Sequence, residues 1–118
     1  MEKKKIGQQG EEEAALFLKR NGYEILDRNV FFRFAELDIV AKKDKTLVFV
    51  EVKTRQSLQY GLPREAVTKT KCRHIRNAAE AYLAKTGAWN TCCRFDVIEV
   101  WKTKAKWHIH HIKNAFDE

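Results

Sequence analysis

No run of apolar residues in this sequence is long enough to cross a bilayer, and no segment is repeated or low in complexity. The opening MEKKKIGQQG is basic but lacks the apolar middle of a secretory signal, so a cytoplasmic location is expected. Cysteine is scarce. Cys72, Cys92 and Cys93 are odd in number, two are adjacent, and there is no CxxC pair. That pattern speaks against a disulfide framework or a zinc ribbon and suits reduced thiols. Gly-rich phosphate loops and nucleophile elbows are absent. Acid is also in deficit: 16 Asp and Glu face 23 Lys and Arg, for a formal charge of +7. A polyanionic partner, either nucleic acid or an anionic membrane, suits such an excess. A merely soluble basic protein is the plainer account.

The 118 residues, 44% of them hydrophobic, suit one domain over 1–118 with one core. The chain is organised around ELDIVAKKDKTLVFVEVKTR, Glu36 to Arg55. It reads as a strand Glu36–Lys42, a turn Lys43–Thr46 and a strand Leu47–Thr54. Side chains alternate along a strand, so Glu36, Asp38 and Val40 should share one face and Leu37, Ile39 and Ala41 the other. In the second strand, Glu51 and Lys53 continue the face begun by Leu47 and Phe49. A hairpin would bring Asp38 near both.

Around this pair the periodicity predicts a helix from about Gln8 to Arg20, stopped by Gly22, after a frayed Met1–Gln9. Glu11 falls on its apolar stripe with Ala14, Ala15 and Leu18, while Glu12 and Glu13 lie further round, in solvent. A plain helix-dipole role and a functional one are equally open for Glu11. Tyr23–Asn29 reads as a strand, and Val30–Ala35 (VFFRFA) as an aromatic, basic connection. Phe31, Phe32, Arg33 and Phe34 could meet bases or backbone, with at least two of the phenylalanines expected in the core. Gln56–Pro63 is an expected loop, and Arg64–Thr86 a long helix ended by Gly87. Val67, Ile75, Ala78, Ala79, Tyr82 and Leu83 form its apolar stripe. Lys69, Lys71, Arg73 and Arg76 crowd its first half, which favours phosphate contact. Cys92–Trp101 and Trp107–Ile112 read as the last strands, and Asn114–Glu118 as a short tail. His108 and His110 share a face but lack a third ligand, so exposed edge histidines are the simpler account.

Asp38 and Glu51 are candidate ligands for Mg²⁺ or Mn²⁺, because oxygen-only donors favour hard cations. The Val52 carbonyl could add a third oxygen. Lys53 could position a water or neutralise a phosphate in its transition state, and Glu11 could serve as an accessory acid. Arg55, Lys69, Lys71 and Arg73 are candidate nucleic-acid contacts. A cross-strand ion pair on an exposed sheet face is the competing account of the E-x-K triplet.

The arrangement resembles the PD-(D/E)xK nucleases, with Asp38 as the first acid and Glu51-Val52-Lys53 as the E-x-K. Its order of elements is similar to that of archaeal Holliday junction resolvases. A narrower resemblance, to the widespread bacterial YraN-like family, rests on Gly7, Gly10-Glu11 with Ala14, Gly22-Tyr23, Glu36-Leu37-Asp38, Phe49 to Arg55, Gly61 with Pro63, Glu65-Ala66-Val67, Arg94-Phe95-Asp96-Val97 and Asn114-Ala115-Phe116. Ala35 stands where that family usually has glycine. The resemblance implies an α/β, restriction-endonuclease-like fold, with a central mixed β-sheet flanked by helices. It also implies a nuclease-like site, but no substrate. With the candidate residues above, the leading expectation is a Mg²⁺- or Mn²⁺-dependent endonuclease, a hydrolase acting on DNA, branched or otherwise structured DNA included, with no membrane partner. A homodimer is compatible with it. A non-catalytic nucleic-acid-binding protein and an interaction subunit are the alternatives.

Overall fold

A computed structural model describes residues 2–33, 35–55, 68–88 and 91–116, with side chains from residue 6 onward. The elements run α1 (Glu2–Arg20), β1 (Glu24–Phe31), β2 (Glu36–Lys43), β3 (Thr46–Arg55), α2 (Lys69–Thr86), β4 (Cys92–Thr103) and β5 (Lys106–Ile112). The strands form one sheet in chain order. β3 and β4 pair in parallel, and the other neighbours are antiparallel. Parallel neighbours need a crossover, and α2 lies within the one that joins them. This is the mixed sheet flanked by helices that the sequence implies.

Each sheet face carries its own core. On one side α1 buries Ala14, Ala15 and Leu18 against Ile39, Ala41, Val48, Val50, Ile98 and Val100. On the other, α2 buries Ile75, Ala78, Ala79 and Tyr82 against Val40, Leu47, Phe49 and Val97. The expected stripe of α2 is thus the face it buries. Gly10 lets α1 approach the sheet: a Cβ there would stand 2.9 Å from Val100 Cγ2 and closer still to Thr54.

Several boundaries depart from expectation. α1 starts at Glu2, not near Gln8, because Lys, Glu and Gln propagate a helix well enough to offset Gly7 and Gly10. α2 starts at Lys69, not Arg64. Thr68 is extended (φ −80°, ψ 166°) and its Oγ1 accepts the Lys71 N–H, which caps the helix there. Val67, Arg64–Ala66 and the expected loop Gln56–Pro63 lie outside the described residues, as does Phe34. The far end of α2 matches, with Gly87 left-handed at φ 75° and its N–H bonded to the Leu83 carbonyl at 2.8 Å. In the aromatic connection Phe32 packs on the α2-side core, but Phe31 is 74% exposed. The C-terminal segment docks: Phe116 is buried and stacks on Phe95 with centroids 5.5 Å apart.

β4 and β5 are held by a buried polar knot. Arg94 donates to Asp96 through Nε (2.9 Å) and through its terminal nitrogen (2.9 Å), while that nitrogen also reaches the Tyr23 hydroxyl at 2.6 Å. His111 Nε2 lies 2.7 Å from Asp96, and the Asn114 N–H donates at 3.1 Å. Burial alone would raise the Asp96 carboxyl. Its bonds from His111, Arg94 and the Asn114 N–H outweigh that and hold it below the ordinary carboxylate range.

Candidate active site

β2 and β3 pair in register from Lys43↔Thr46 to Ile39↔Val50, and the pairing stops there. β3 continues against β4 as far as Arg55. Leu37 joins Val40 in the α2-side core, whereas Ile39 and Ala41 lie on the α1 side. The strict alternation expected of β2 is therefore broken at Asp38. There the side chain replaces the missing ladder bond, with Asp38 Oδ2 accepting the Val52 N–H at 2.9 Å.

Glu51 continues the α2-side face of β3, as its parity requires, and is buried. Its Oε1 is 3.3 Å from the Lys53 ammonium and 3.0 Å from that of Lys71. Asp38 and Glu51 line one cavity of about 360 Å³ with Glu36, Thr68, Lys71 and His74. Asp38 and Lys53 also line a larger groove, about 780 Å³, with Glu11, Arg28, Phe31 and Arg55. Asp38 thus stands where the two openings meet.

The electrostatics reflect this crowding. Burial, and then the charge of Glu51, push the Asp38 carboxyl up to about 8, although the Val52 N–H pulls the other way. A hydrogen bond with Glu36 and the charge of Glu11 push it further in the same direction. Burial and the adjacent Lys71 lower Lys53. Burial opposes the charge on Lys71 too, but its contacts with Lys53 and Glu51 keep it above the usual lysine value.

Glu11 is 14% exposed at the side chain and Glu12 59%. The inward turn predicted for Glu11 is therefore present, whereas Glu13 is half-buried rather than in solvent. Arg28 bridges Glu11 at 3.2 Å and Glu12 at 2.9 Å, and Asn29 donates to Glu11 at 2.9 Å. Among the nucleic-acid candidates, Lys69 and Arg73 are exposed on α2 and Arg55 lines the groove. Lys71 is drawn into the acid cluster.

Among the described residues, no three His, Cys, Asp or Glu side chains converge in metal-binding geometry. His108 is instead 2.6 Å from Thr103 Oγ1, and His110 2.8 Å from the buried Glu99. No helix among the described residues is long and apolar enough to cross a membrane. Arg28 and Glu36 were not singled out as site residues from the sequence. Glu36 had a signal, lying two residues before Asp38 on the same strand. Arg28 had none, because its partners lie 16 and 17 positions away.

The model of Uncharacterised protein family UPF0102 matches residues 10–100. The chain belongs to this family. It is 49% identical to a UPF0102 protein of Caldicellulosiruptor saccharolyticus over 98% of this chain and 100% of that one. A UPF0102 protein of Geobacter metallireducens is 48% identical over 97% of this chain and 93% of its own length. Among solved structures, this UPF0102 chain is similar to Hjc, a Holliday junction resolvase from the archaeal hyperthermophile Archaeoglobus fulgidus. The TM-score is 0.53 at 20% identity, over 87% of this chain and 70% of that one. At that identity the likeness shows the fold, which is restriction-endonuclease-like.

Proposed function

We propose that this UPF0102 protein is a metal-dependent endonuclease, a single domain over residues 1–118 that cleaves phosphodiester bonds in DNA. The observation that carries the proposal is the cluster of Asp38, Glu51, Lys53 and Lys71 where β2 leaves β3, half-buried yet open to a groove with Arg28 and Arg55 on its walls. A cross-strand ion pair on a solvated face has no reason to be desolvated in this way.

The donors fit a hard divalent cation. Asp38 and Glu51 offer only oxygen, and burial followed by the charge of Glu51 pushes Asp38 up to about 8, which a cation between them would relieve. Mg²⁺ or Mn²⁺ between them, with the Val52 carbonyl as a further ligand, would supply Lewis acidity at a phosphoryl oxygen. With two side-chain acids, most of the coordination sphere is left to water and substrate, as Mg²⁺ prefers.

The chain's own groups do the rest. Glu51 holds Lys53 at 3.3 Å, so its ammonium is fixed rather than swept through solvent. There it orients the attacking water or offsets charge building on the phosphate. Lys71 adds a second positive charge at the same Glu51 oxygen, 3.0 Å away. Glu11 acts as an accessory acid, kept in place by Arg28 and Asn29. Arg55, Lys69 and Arg73 hold the DNA backbone on either side.

The second reading is a DNA-binding protein without turnover. The two lysines on Glu51 favour it, because they satisfy that carboxylate without a cation. A nuclease assay separates the two. Linear, nicked, flapped and four-way DNA are incubated with Mg²⁺ or Mn²⁺. Cleavage by the wild type supports the enzyme, and tight binding with no cutting of any substrate supports the second reading.

A further inference from the structure

Phe31 is the most exposed large hydrophobic side chain among the described residues, at 74%, against 39% for Leu26 and 37% for Leu16. It belongs to neither core, although its neighbours Val30 and Phe32 both pack on the α2 side. Alternation along the strand turns Phe31 the other way, and it lines the groove that holds Asp38 and Lys53. The ring is carried at the last position of β1, where it pairs in the ladder with Glu36. A ring on a hydrogen-bonded strand is presented in a defined place, unlike one on a free loop. Leaving a phenylalanine in water forgoes the stabilisation that burying its ring would bring. Nothing in the packing requires it there, so a polar residue would serve the fold equally well.

Its surroundings narrow the occupant. Arg55 lines the same groove and suits a phosphate, while the ring offers a flat apolar face and Arg28 is already held by Glu11 and Glu12. That pairing of cation and aromatic matches one nucleotide: its phosphate on an arginine and its base on the ring. In continuous duplex each base is already stacked on both faces. A side chain can stack only where a base has lost a neighbour, as at a gap, flap or branch.

We infer that Phe31 stacks on an unpaired base beside the scissile phosphate, and that it makes the groove select DNA carrying unstacked bases over continuous duplex. This deepens the DNA reading above and rests on it.

Affinity is measured without divalent metal, so that nothing is cut. The probes are a continuous duplex and the same duplex interrupted by a short single-stranded gap, with 2-aminopurine as one unpaired base. Wild type should bind the gapped DNA more tightly and quench the 2-aminopurine. Stacking by one aromatic is worth roughly 5- to 150-fold in affinity. Phe31→Ala should lose the preference by a factor in that range and lose the quenching, with its melting temperature unchanged. Phe31→Trp should keep both, and Phe31→Leu should lose both, because it is apolar without a π face. Equal discrimination by wild type and Phe31→Ala overturns the inference, as does full function in Phe31→Leu. If wild type binds neither DNA, the DNA reading itself has failed, a separate and recognisable result.

Discussion

Replacing Asp38 with asparagine should make the metal-free protein more stable, even as it removes a proposed ligand. The carboxyl titrates at about 8 in the fold, against about 3.9 in an unfolded chain. A group whose folded pKa is raised contributes its full stability below the unfolded value, and loses it as pH rises through the folded one. At pH 7 the unfolded chain has given up this proton and the folded one has not. Roughly three pH units at ~1.36 kcal/mol each put the loss at about 4 kcal/mol by pH 7. At pH 5 the same arithmetic gives only about 1.5 kcal/mol. Asparagine has no such titration and can still accept the Val52 N–H that Asp38 Oδ2 accepts at 2.9 Å. Urea unfolding in EDTA, followed by tryptophan fluorescence, should show Asp38→Asn above wild type by a margin that widens from pH 5 to pH 8. Adding Mg²⁺ should narrow the gap, because binding to the folded state alone stabilises by about 2.7 kcal/mol at a hundred times Kd. A variant less stable than wild type at pH 7 in EDTA, or a margin independent of pH, would refute the reasoning.

Three further outcomes are expected. Lys53→Ala should cut the cleavage rate by ~10²–10³-fold and leave DNA affinity near that of wild type, whereas Glu51→Ala should also weaken metal binding by calorimetry; equal loss of DNA affinity in both would place Lys53 in binding rather than chemistry. Lys69→Ala and Arg73→Ala should each flatten the log–log salt dependence of DNA binding by about one, since each removes one phosphate contact; an unchanged slope would turn that face of α2 away from DNA. Asp96→Asn should cost about 3–5 kcal/mol in urea unfolding, because it leaves the Arg94 charge half-paired inside the fold. Its folded pKa is depressed, so wild type keeps this stability above the ordinary carboxylate pKa and loses it as pH falls through the lower folded value; a variant within 1 kcal/mol of wild type at pH 7, or one with the same acid sensitivity, would contradict this.

The knot at Asp96 shows where pattern reading stops. Arg94-Phe95-Asp96-Val97 stands out as a motif only through a family resemblance, and nothing local says what it does. Its partners, Tyr23, His111 and Asn114, lie 71, 15 and 18 positions from the residues that bind them. Glu11 is an intermediate case. Helical spacing turned it inward, but its bonds to Arg28 and Asn29 depend on how α1 lies across β1.

What the sequence by itself determined is whatever one element can dictate: the β2–β3 hairpin, the shared face of Glu51 and Lys53, the buried stripe of α2 and its stop at Gly87. Periods of 2 and 3.6 and the conformational freedom of glycine are local properties, so they can be read without a fold. Tertiary structure alone decided that alternation breaks at Asp38 and that its carboxylate takes the Val52 N–H. It alone drew Lys71 onto Glu51 and left Phe31 over the groove. Each of these depends on where one element ends against another, and burial and charge proximity are set by that meeting rather than by any single strand or helix.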